Sequence, residues 1–279
     1  MNRIDQLFRE KTGEILSVYF TAGYPELDDT STIIREIEKS GGDLVEVGMP
    51  FSDPLADGPV LQESNKIALE NGMSLKKLFD QLNGIRDKVT MPIILMGYLN
   101  PVLQYGLEKF CKDCTRTGID GVILPDLPLD VYIESFQGVF EKYGIHVVFL
   151  VTPQTSVERI RAIESASKGF LYLVTASSTT GIRGGISEEQ IEYFKRIKGL
   201  NLRLPCLAGF GISSHETFKT VCRHTHGAII GSAFVKHLGK GGDLKQNIRS
   251  FIEGIKTPLR KNSLFFYTPF WLGGFFYSL

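Results

Sequence analysis

Short apolar segments alternate with longer amphipathic segments along most of the chain. Apolar runs bounded by turn residues predict eight strands, at 15–20, 43–48, 92–98, 121–125, 146–151, 169–175, 203–208 and 227–231. Segments with helical periodicity lie between them, as at 29–40, 60–70, 131–143, 157–167 and 188–198. The pattern therefore predicts repeated strand–helix units.

The predicted strands are almost uniformly apolar instead of alternating between apolar and polar residues. Strands of this kind are typical of parallel sheets that helices cover on both faces. Three segments, 42–47, 119–124 and 225–230, also resemble one another where a helix ends and a strand begins. Eight such units favour an α/β fold built as a single (β/α)8 TIM barrel, and a doubly wound open sheet is the main alternative.

The chain of 279 residues has room for one large barrel or for two smaller domains. We expect a catalytic barrel at 1–258 that begins with an amphipathic N-terminal helix, followed by a tail at 259–279. From 263 onwards the tail is apolar and aromatic, with interruptions at Pro269, Gly273 and Gly274, and it is too short for a comfortable membrane span. It could cover the barrel, meet a partner or have no role.

The charge balance argues against polyanionic partners. The 31 Lys and Arg residues are matched by 31 Asp and Glu residues, and no basic run is long enough to follow a phosphate backbone. We therefore expect no nucleic-acid partner. Residues 1–11 lack the apolar core and the cleavage site of a secretory signal, so we expect a cytoplasmic protein without a membrane association.

Cysteine and histidine spacing gives little sign of a redox or metal centre. Four cysteines are too few for a disulfide scaffold of this size, and Cys111 and Cys114 lie in a helical pattern, not at a strand end. His224 and His226 have no second ligand pair with zinc-type spacing. We expect no metal site.

Two carboxylates near the second predicted strand are candidates for chemistry. Glu46 stands inside an apolar strand, where an unpaired carboxylate costs several kcal/mol, so it must be paired, protonated or used. A Glu that reaches water or a basic residue at the strand end is an equally good interpretation of this position alone. Asp57 lies in the following Pro- and Gly-rich loop, where spacing alone favours a solvated turn residue or a helix cap. In a barrel both would lie at the carboxyl ends of the strands, where barrel enzymes carry their chemistry.

Three glycine-rich turns follow the sixth, seventh and eighth predicted strands, at 177–185, 209–213 and 231–233. Glycines let the backbone approach an anion closely, and barrels often bind phosphate at the last of these loops. Together the turns favour a phosphate site, although each alone is an ordinary turn. The first is long enough to act as a lid. Lys236 is better interpreted as a solvated helix residue than as a phosphate ligand.

At this point the chain resembles the family of tryptophan synthase α subunits. Segment 46–59 (EVGMPFSDPLADGP) is similar to the family signature, and 21–25 (TAGYP), 95–101 (LMGYLNP), 125–128 (PDLP) and 209–213 (GFGIS) follow in family order. The resemblance covers about 1–255. It implies retro-aldol cleavage of indole-3-glycerol phosphate to indole and glyceraldehyde 3-phosphate, with no metal or organic cofactor in this subunit.

The resemblance also implies roles for individual residues. Glu46 is expected as the general acid/base, and Asp57 as the carboxylate that stabilises charge on the ring nitrogen. The residues expected to shape the substrate pocket, which plain core packing would also explain, are Tyr19, Leu99, Leu124, Tyr172 and Phe210, with Thr180 on the lid. The phosphate is expected at Gly181, Gly211, Gly231 and Ser232.

A partner follows from the same resemblance: a pyridoxal-phosphate-dependent β subunit that receives indole in an α–β–β–α heterotetramer. The expected contact residues are Asp53, Pro54, Asn100, Pro101 and Pro128, although an exposed Pro-rich rim is common at barrel mouths. The segment 176–179 and the apolar tail depart from the usual family pattern.

Other functions remain open from the residues alone. A Schiff-base aldolase needs a buried strand lysine, which 169–175 does not offer, and a metal-assisted aldolase needs clustered ligands. A barrel that only regulates a β subunit would not need a buried Glu46. A lyase that works without a β subunit is a further alternative.

Overall fold

The computed structural model describes residues 1–55, 57–175, 185–209 and 211–257. Nine strands form one parallel sheet, in the order β5-β4-β3-β2-β1-β9-β8-β7-β6. The strands are β1 Ile15–Thr21, β2 Leu44–Gly48, β3 Ile93–Met96, β4 Gly121–Ile123, β5 His146–Val148, β6 Leu150–Val151, β7 Leu171–Val174, β8 Cys206–Gly209 and β9 Gly227–Ile230.

The two ends of this sheet are consecutive parts of one strand. Only Phe149 separates β5, which pairs with β4, from β6, which pairs with β7. The sheet therefore curls round into a nearly closed barrel, which confirms the predicted TIM-type fold. The eight predicted strands become nine because the strand predicted at 146–151 is divided at Phe149.

Helices follow most strands and cover the outside of the barrel. They are α1 Arg3–Glu10, α2 Thr30–Lys39, α3 Pro59–Glu70, α4 Leu75–Leu82, α5 Leu99–Tyr105, α6 Leu107–Thr117, α7 Leu129–Val131, α8 Gln137–Lys142, α9 Val157–Ala166, α10 Glu188–Gly199, α11 His215–Cys222, α12 Ser232–Leu238 and α13 Leu244–Lys256. Short 3-10 helices occupy Leu27–Asp29 and Ile85–Asp87. A π-helix at Tyr132–Phe136 joins α7 to α8, so the helix predicted at 131–143 is not one continuous α-helix.

Local sequence explains several helix boundaries. The side chains of Asn2, Ser74 and Ser156 each accept a hydrogen bond from a backbone N–H in the first turn of the helix that follows. Ser187 and Gln190 form a reciprocal capping box at the start of α10. These caps supply partners for N–H groups that a helix end leaves unsatisfied.

Two apolar clusters stabilise the barrel: an outer one between strands and helices, and an inner one inside the strands. The inner cluster contains residues such as Ile15, Leu44 and Ile94, together with Ile4 from α1. A Cβ on Gly121 or Gly169 would come within 3.0 or 2.9 Å of the Ile4 side chain. Helix α1 thus closes the amino end of the barrel interior, which leaves the carboxyl end for a site.

The expected boundary at 258 and the apolar tail at 259–279 lie outside the described residues. Within the described part of the chain, no helix is both long enough and apolar enough to cross a membrane.

Candidate active site

A cavity of about 540 Å³ opens at the carboxyl end of the barrel. Its walls come from strand ends and from the loops after β2, β8 and β9. The lining residues are Tyr19, Glu46, Asp57, Gly58, Pro59, Leu61, Met96, Tyr172, Gly211, Ile212, Ser213, Ile229, Gly231, Ser232 and Ala233. The volume is in the range of small-molecule pockets.

Glu46 lies in the middle of β2 with its side chain turned into the barrel, and it is fully buried. Its Oε1 accepts a 2.7 Å hydrogen bond from the hydroxyl of Ser17 on β1. Its Oε2 has no hydrogen-bond partner among the described residues. Burial raises the pKa of Glu46 to about 7, and the Ser17 hydrogen bond opposes that rise. The carboxyl group can therefore carry or release a proton near neutral pH.

Asp57 lies in the loop between β2 and α3, immediately before the residue that caps α3. Burial raises the pKa of Asp57 to about 6, while a hydrogen bond with Tyr98 acts in the opposite direction. The carboxylate is therefore mostly ionised at pH 7. Asn65 of α3 anchors the same loop, because its Oδ1 accepts a 3.0 Å hydrogen bond from the N–H of Phe51.

Two tyrosines stand on the cavity wall. Tyr19 comes from β1 and Tyr172 from β7, and both side chains are buried. Burial is the main cause that raises both phenol pKa values well above their ordinary value of 10.0, with nearby carboxylates adding to it. Both residues therefore remain neutral and present ring surface to the cavity.

The loops after β8 and β9 line one part of the cavity with small residues. Gly211 has a φ of 75°, in the left-handed region that glycine adopts readily, and a Cβ there would meet nothing within 4 Å. Gly231 and Ser232 line the same cavity where β9 passes into α12. Backbone N–H groups in a helix's first turn have no partner within the helix, so this part of the cavity suits an anion.

The structure brings together seven of the residues predicted for the site: Tyr19, Glu46, Asp57, Tyr172, Gly211, Gly231 and Ser232. Leu99 and Leu124 do not line this cavity; Leu124 is buried in the outer apolar cluster, and Leu99 packs against it. Thr180, Gly181 and Phe210 lie outside the described residues.

Sequence reasoning missed several contributors. Pro59, Leu61, Met96, Ile212 and Ile229 line the cavity without a distinctive sequence signal, because apolar residues are common at strand ends and in helices. A smaller cavity of about 60 Å³ shares Tyr19, Asp57 and Met96 with the main one and extends towards the loops after β3 and β4.

The residues predicted for partner contact lie on the loops and helices that follow β2, β3 and β4. Asp53, Asn100 and Pro128 are exposed, whereas Pro54 and Pro101 are half-buried. Large apolar side chains are exposed beside them: Leu55, Leu103, Val131 and Ile133. Since β2, β3 and β4 are neighbouring parallel strands, these loops share one side of the barrel mouth.

In the described part of the chain, no group of three or more His, Cys, Asp or Glu residues is placed to hold a metal ion. Cys111 and Cys114 are buried in α6, and burial raises the pKa of the Cys111 thiol to about 12. A thiol with so high a pKa is a poor nucleophile.

The site therefore pairs a carboxyl that can be protonated with a carboxylate that is mostly ionised, between two aromatic side chains. Such a pair can deliver a proton to a carbon atom and stabilise a positive charge at another position. A buried carboxyl of raised pKa in the wall of a cavity is a marker of functional sites.

Comparison with known proteins identifies relatives over nearly the whole chain. A family model described as tryptophan synthase alpha chain matches residues 6–261. A protein of that name from Flavobacterium johnsoniae is 55% identical over 256 residues, which is 92% of this chain and 100% of the relative. Its counterpart from Christiangramia forsetii is 54% identical over 257 residues, 92% of this chain and 99% of the relative.

Solved structures show the same relationship. A tryptophan synthase alpha chain from Legionella pneumophila superposes with a TM-score of 0.83 at 30% identity, covering 92% of this chain and 96% of that one. A chain of tryptophan synthase from M. tuberculosis, in its aminoacrylate-bound form, gives a TM-score of 0.80 at 27% identity, covering 92% of this chain and 98% of that one.

Proposed function

The chain belongs to the tryptophan synthase alpha chain family, and from this premise we propose that Glu46 and Asp57 are its two catalytic carboxylates. The protein is a carbon–carbon lyase of tryptophan biosynthesis. It cleaves indole-3-glycerol phosphate to indole and glyceraldehyde 3-phosphate. The assignment to residues rests chiefly on one observation: Glu46 is a fully buried residue of the cavity wall, and its Oε2 has no hydrogen-bond partner among the described residues.

Glu46 exchanges protons with the carbon skeleton in this proposal. The protonated carboxyl first gives its proton to C3 of the indole ring, which turns the ring into an electron acceptor. The resulting carboxylate then takes the proton of the side-chain hydroxyl on the adjacent carbon as the carbon–carbon bond breaks. The electron pair of that bond returns to the ring, the hydroxyl carbon becomes the aldehyde, and Glu46 ends protonated. A carboxyl with a pKa of about 7 suits both steps.

Asp57 stabilises the charge that develops during these steps. Protonation at C3 leaves positive charge on the ring nitrogen, and a carboxylate with a pKa of about 6 is mostly ionised at neutral pH. Its position on the α3 side of the cavity, held by the loop bond between Phe51 and Asn65, lets it face a ring that lies between it and Glu46.

The indole ring needs an apolar pocket with aromatic walls. Tyr19, Tyr172 and Leu61 line the cavity beside the two carboxylates, together with Met96 and Ile229. These side chains exclude water from the reacting carbon, which strengthens every electrostatic interaction in the site.

The phosphate of the substrate binds at the small-residue part of the cavity. Gly211, Gly231 and Ser232 supply backbone N–H groups, and Ser232 adds its hydroxyl. The left-handed conformation of Gly211 supports this assignment, because it turns the backbone where no side chain stands in the way.

No metal or organic cofactor enters this mechanism. The substrate's own ring serves as the electron acceptor, and the two carboxyl groups carry the proton and the counter-charge. Cleavage by the subunit alone is therefore expected to withstand dialysis against a chelator.

A pyridoxal-phosphate-dependent β subunit is the proposed partner, in an α–β–β–α heterotetramer located in the cytoplasm. The exposed apolar side chains Leu55, Leu103, Val131 and Ile133 support an interface at the barrel mouth, since they stand beside the residues expected from the family. Indole released in the cavity would leave through this face.

The deciding experiment measures indole release from indole-3-glycerol phosphate by the wild type, Glu46→Gln and Asp57→Asn, each with and without a purified β subunit. Glutamine keeps the shape of Glu46 but cannot exchange the proton, so its rate is expected to fall by about two to four orders of magnitude. Full activity of Glu46→Gln would remove Glu46 from the mechanism. A wild type that activates the β subunit but releases no indole would instead favour a regulatory module.

A further inference from the structure

Strand β1 places a polar side chain in the wall of the barrel below the cavity. Side chains of a strand alternate between its two faces, and Ile15 and Tyr19 both turn inward, to the inner apolar cluster and the cavity respectively. Ser17 lies two residues from each of them, so its side chain is on the same inward face of β1, and it is fully buried. An inward serine needs a hydrogen-bond partner to offset its burial.

That partner is the candidate catalytic carboxyl. The Ser17 hydroxyl donates a 2.7 Å hydrogen bond to Oε1 of Glu46, from one parallel strand to the next. Because Oε1 accepts this hydrogen bond, the proton of the neutral carboxyl belongs on Oε2. Oε2 is the oxygen without a partner among the described residues. Ser17 itself does not line the cavity.

We propose that Ser17 is a positioning residue for Glu46: its hydroxyl fixes Oε1 in the barrel wall and leaves Oε2, with the transferable proton, facing the substrate. The inference rests on the proposed catalytic role of Glu46. Without this hydrogen bond the carboxyl group could rotate about its terminal bond and present either oxygen, so fewer bound substrates would meet a correctly placed proton.

Ser17 also acts on the charge of Glu46. A hydrogen bond to the ionised form favours that form, so the hydroxyl opposes the rise in pKa that burial causes. Among the described residues, the other titratable groups that line the cavity with Glu46 are Tyr19 from β1, Tyr172 from β7 and Asp57 from the loop after β2. Both tyrosines stay neutral, so Asp57 is the charged group of these three, and a change at Ser17 leaves it in place.

The test compares wild type, Ser17→Ala, Ser17→Thr and Glu46→Gln in steady-state cleavage of indole-3-glycerol phosphate across pH. Ser17→Ala is expected to lower kcat about tenfold and to change KM by less than about twofold, since Ser17 does not touch the cavity. The alkaline limb of its kcat/KM profile is expected to move to higher pH by about one unit. This shift in pKa corresponds to the loss of one hydrogen bond to a charged group. Ser17→Thr keeps the hydroxyl and is expected to restore kcat and the limb.

Ser167→Ala serves as the matched control, because it removes a buried hydroxyl at the end of α9 that has no hydrogen-bond partner within the described chain. It is expected to leave the pH profile unchanged.

Four outcomes separate the possibilities. A tenfold lower kcat together with an alkaline limb shifted to higher pH in Ser17→Ala supports the inference, and restoration of both by Ser17→Thr strengthens it. Wild-type kcat and an unmoved limb in Ser17→Ala, with Glu46→Gln inactive, overturn the inference but leave the proposed function standing. A lower kcat with an unmoved limb indicates a purely structural role and also overturns it. Full activity of Glu46→Gln overturns the proposed function itself.

Discussion

The hydroxyl group of Tyr19 occupies the space that a Cβ atom on Gly48 would need. Tyr19 is paired with Glu46 across β1 and β2, and Gly48 is the next inward position on β2. The absence of a side chain at Gly48 thus lets the phenol extend across the end of the neighbouring strand. Tyr172 on β7 has the same relationship with Gly209 on β8. Each aromatic wall of the cavity therefore depends on a glycine in the adjacent strand.

Gly48→Ala is expected to push Tyr19 out of its position. Overpacking of a buried site costs about 1–3 kcal/mol, so the free energy of unfolding should fall by that amount and kcat/KM for cleavage should fall about tenfold or more. Urea unfolding and steady-state kinetics measure the two effects.

The same substitution should cost less in a Tyr19→Phe background, because the clashing oxygen is gone. Gly254→Ala in α13 is the control, since a Cβ there meets nothing within 4 Å and its stability should not fall. Equal losses from Gly48→Ala in both backgrounds would show that Tyr19 is not the obstacle.

The pH dependence of cleavage follows from the two carboxyl groups. Activity needs Asp57 ionised, with a pKa of about 6, and Glu46 protonated, with a pKa of about 7. A bell-shaped kcat/KM profile with its maximum between these values is therefore expected. The alkaline limb is the diagnostic one, because the phosphate of the substrate also titrates near pH 6.

Tyr172→Phe tests the source of that limb. Tyr172 is neutral over the pH range of the profile, so removal of its hydroxyl should leave the midpoint of the alkaline limb unchanged, whatever its effect on the rate. A midpoint that moves with Tyr172→Phe would assign the limb to another group.

Glu46 also makes the stability of the fold depend on pH. Its pKa is raised from 4.5 to about 7 in the folded chain, so the folded state holds the proton more tightly than the unfolded state. The stability due to this preference is fully present below pH 4.5 and is lost as the pH rises through 7. The loss corresponds to about 3 kcal/mol for a fully buried group.

Glu46→Gln removes this dependence. Its free energy of unfolding, relative to that of the wild type, should rise by about 3 kcal/mol between about pH 4 and pH 8, measured by urea unfolding at each pH. Comparing the two proteins across pH cancels the contribution of Asp57, which is the same in both. A constant difference across pH would mean that the pKa of Glu46 is not raised.

A second buried carboxylate acts at the opposite end of the barrel. Asp120 is 3% exposed and accepts hydrogen bonds from Arg3 at 2.9 Å, from Arg86 at 2.5 Å and from the N–H of Ile93 at 2.9 Å. It joins α1, the segment before β3 and the start of β4. Its removal leaves the half-buried Arg86 without its counter-charge.

Asp120→Ala is therefore expected to lower the free energy of unfolding by about 3 kcal/mol. KM for the substrate should stay the same, since the cavity lies at the other end of the strands. Asp130→Ala, which breaks an exposed ion pair with Arg159, is the matched control and should cost less than about 1 kcal/mol. A similar cost for both variants would contradict a special role for Asp120.

The sequence predicts the barrel well because its signals are local. Every predicted strand overlaps an observed one, and apolar runs between turn residues need no knowledge of the rest of the chain. The division of the fifth strand at Phe149 and the π-helix at Tyr132–Phe136 depend on tertiary packing. Phe149 and Tyr132 are in contact there, with their ring centroids 5.1 Å apart. No sequence period carries that information.

The candidate site divides in the same way. Glu46 stands out in the sequence because a carboxylate inside an apolar strand is unusual. Ser17 does not stand out, since a serine in a strand is common, and its hydrogen bond to Glu46 exists only through the register of β1 against β2. The hydrogen bond between Tyr98 and Asp57 likewise joins the loops after β3 and β2. Contacts of this kind between elements are determined by the tertiary structure and leave no signal in the local sequence.

The barrel mouth allows a test of the proposed partner that leaves the cavity untouched. Asp53 is exposed on the loop after β2, beside Leu55, whose side chain is 88% exposed. Neither residue lines the cavity. Asp53→Ala is expected to weaken the activation of indole release by the β subunit about tenfold, because a charged residue at an interface sets orientation and association rate.

The binding of inorganic phosphate should hardly change in Asp53→Ala, since the proposed phosphate site lies on the loops after β8 and β9. Titration calorimetry with phosphate and rate measurements over a range of β-subunit concentrations give the two quantities. Glu192→Ala on the outer face of α10 is the control, because its exposed carboxylate pairs only with Lys195 of the same helix among the described residues. This variant should change neither the activation by the β subunit nor the binding of phosphate. Equal loss of activation and of phosphate binding in Asp53→Ala would mean that the loop shapes the cavity instead of the interface, because a contact residue outside the cavity can affect only the first.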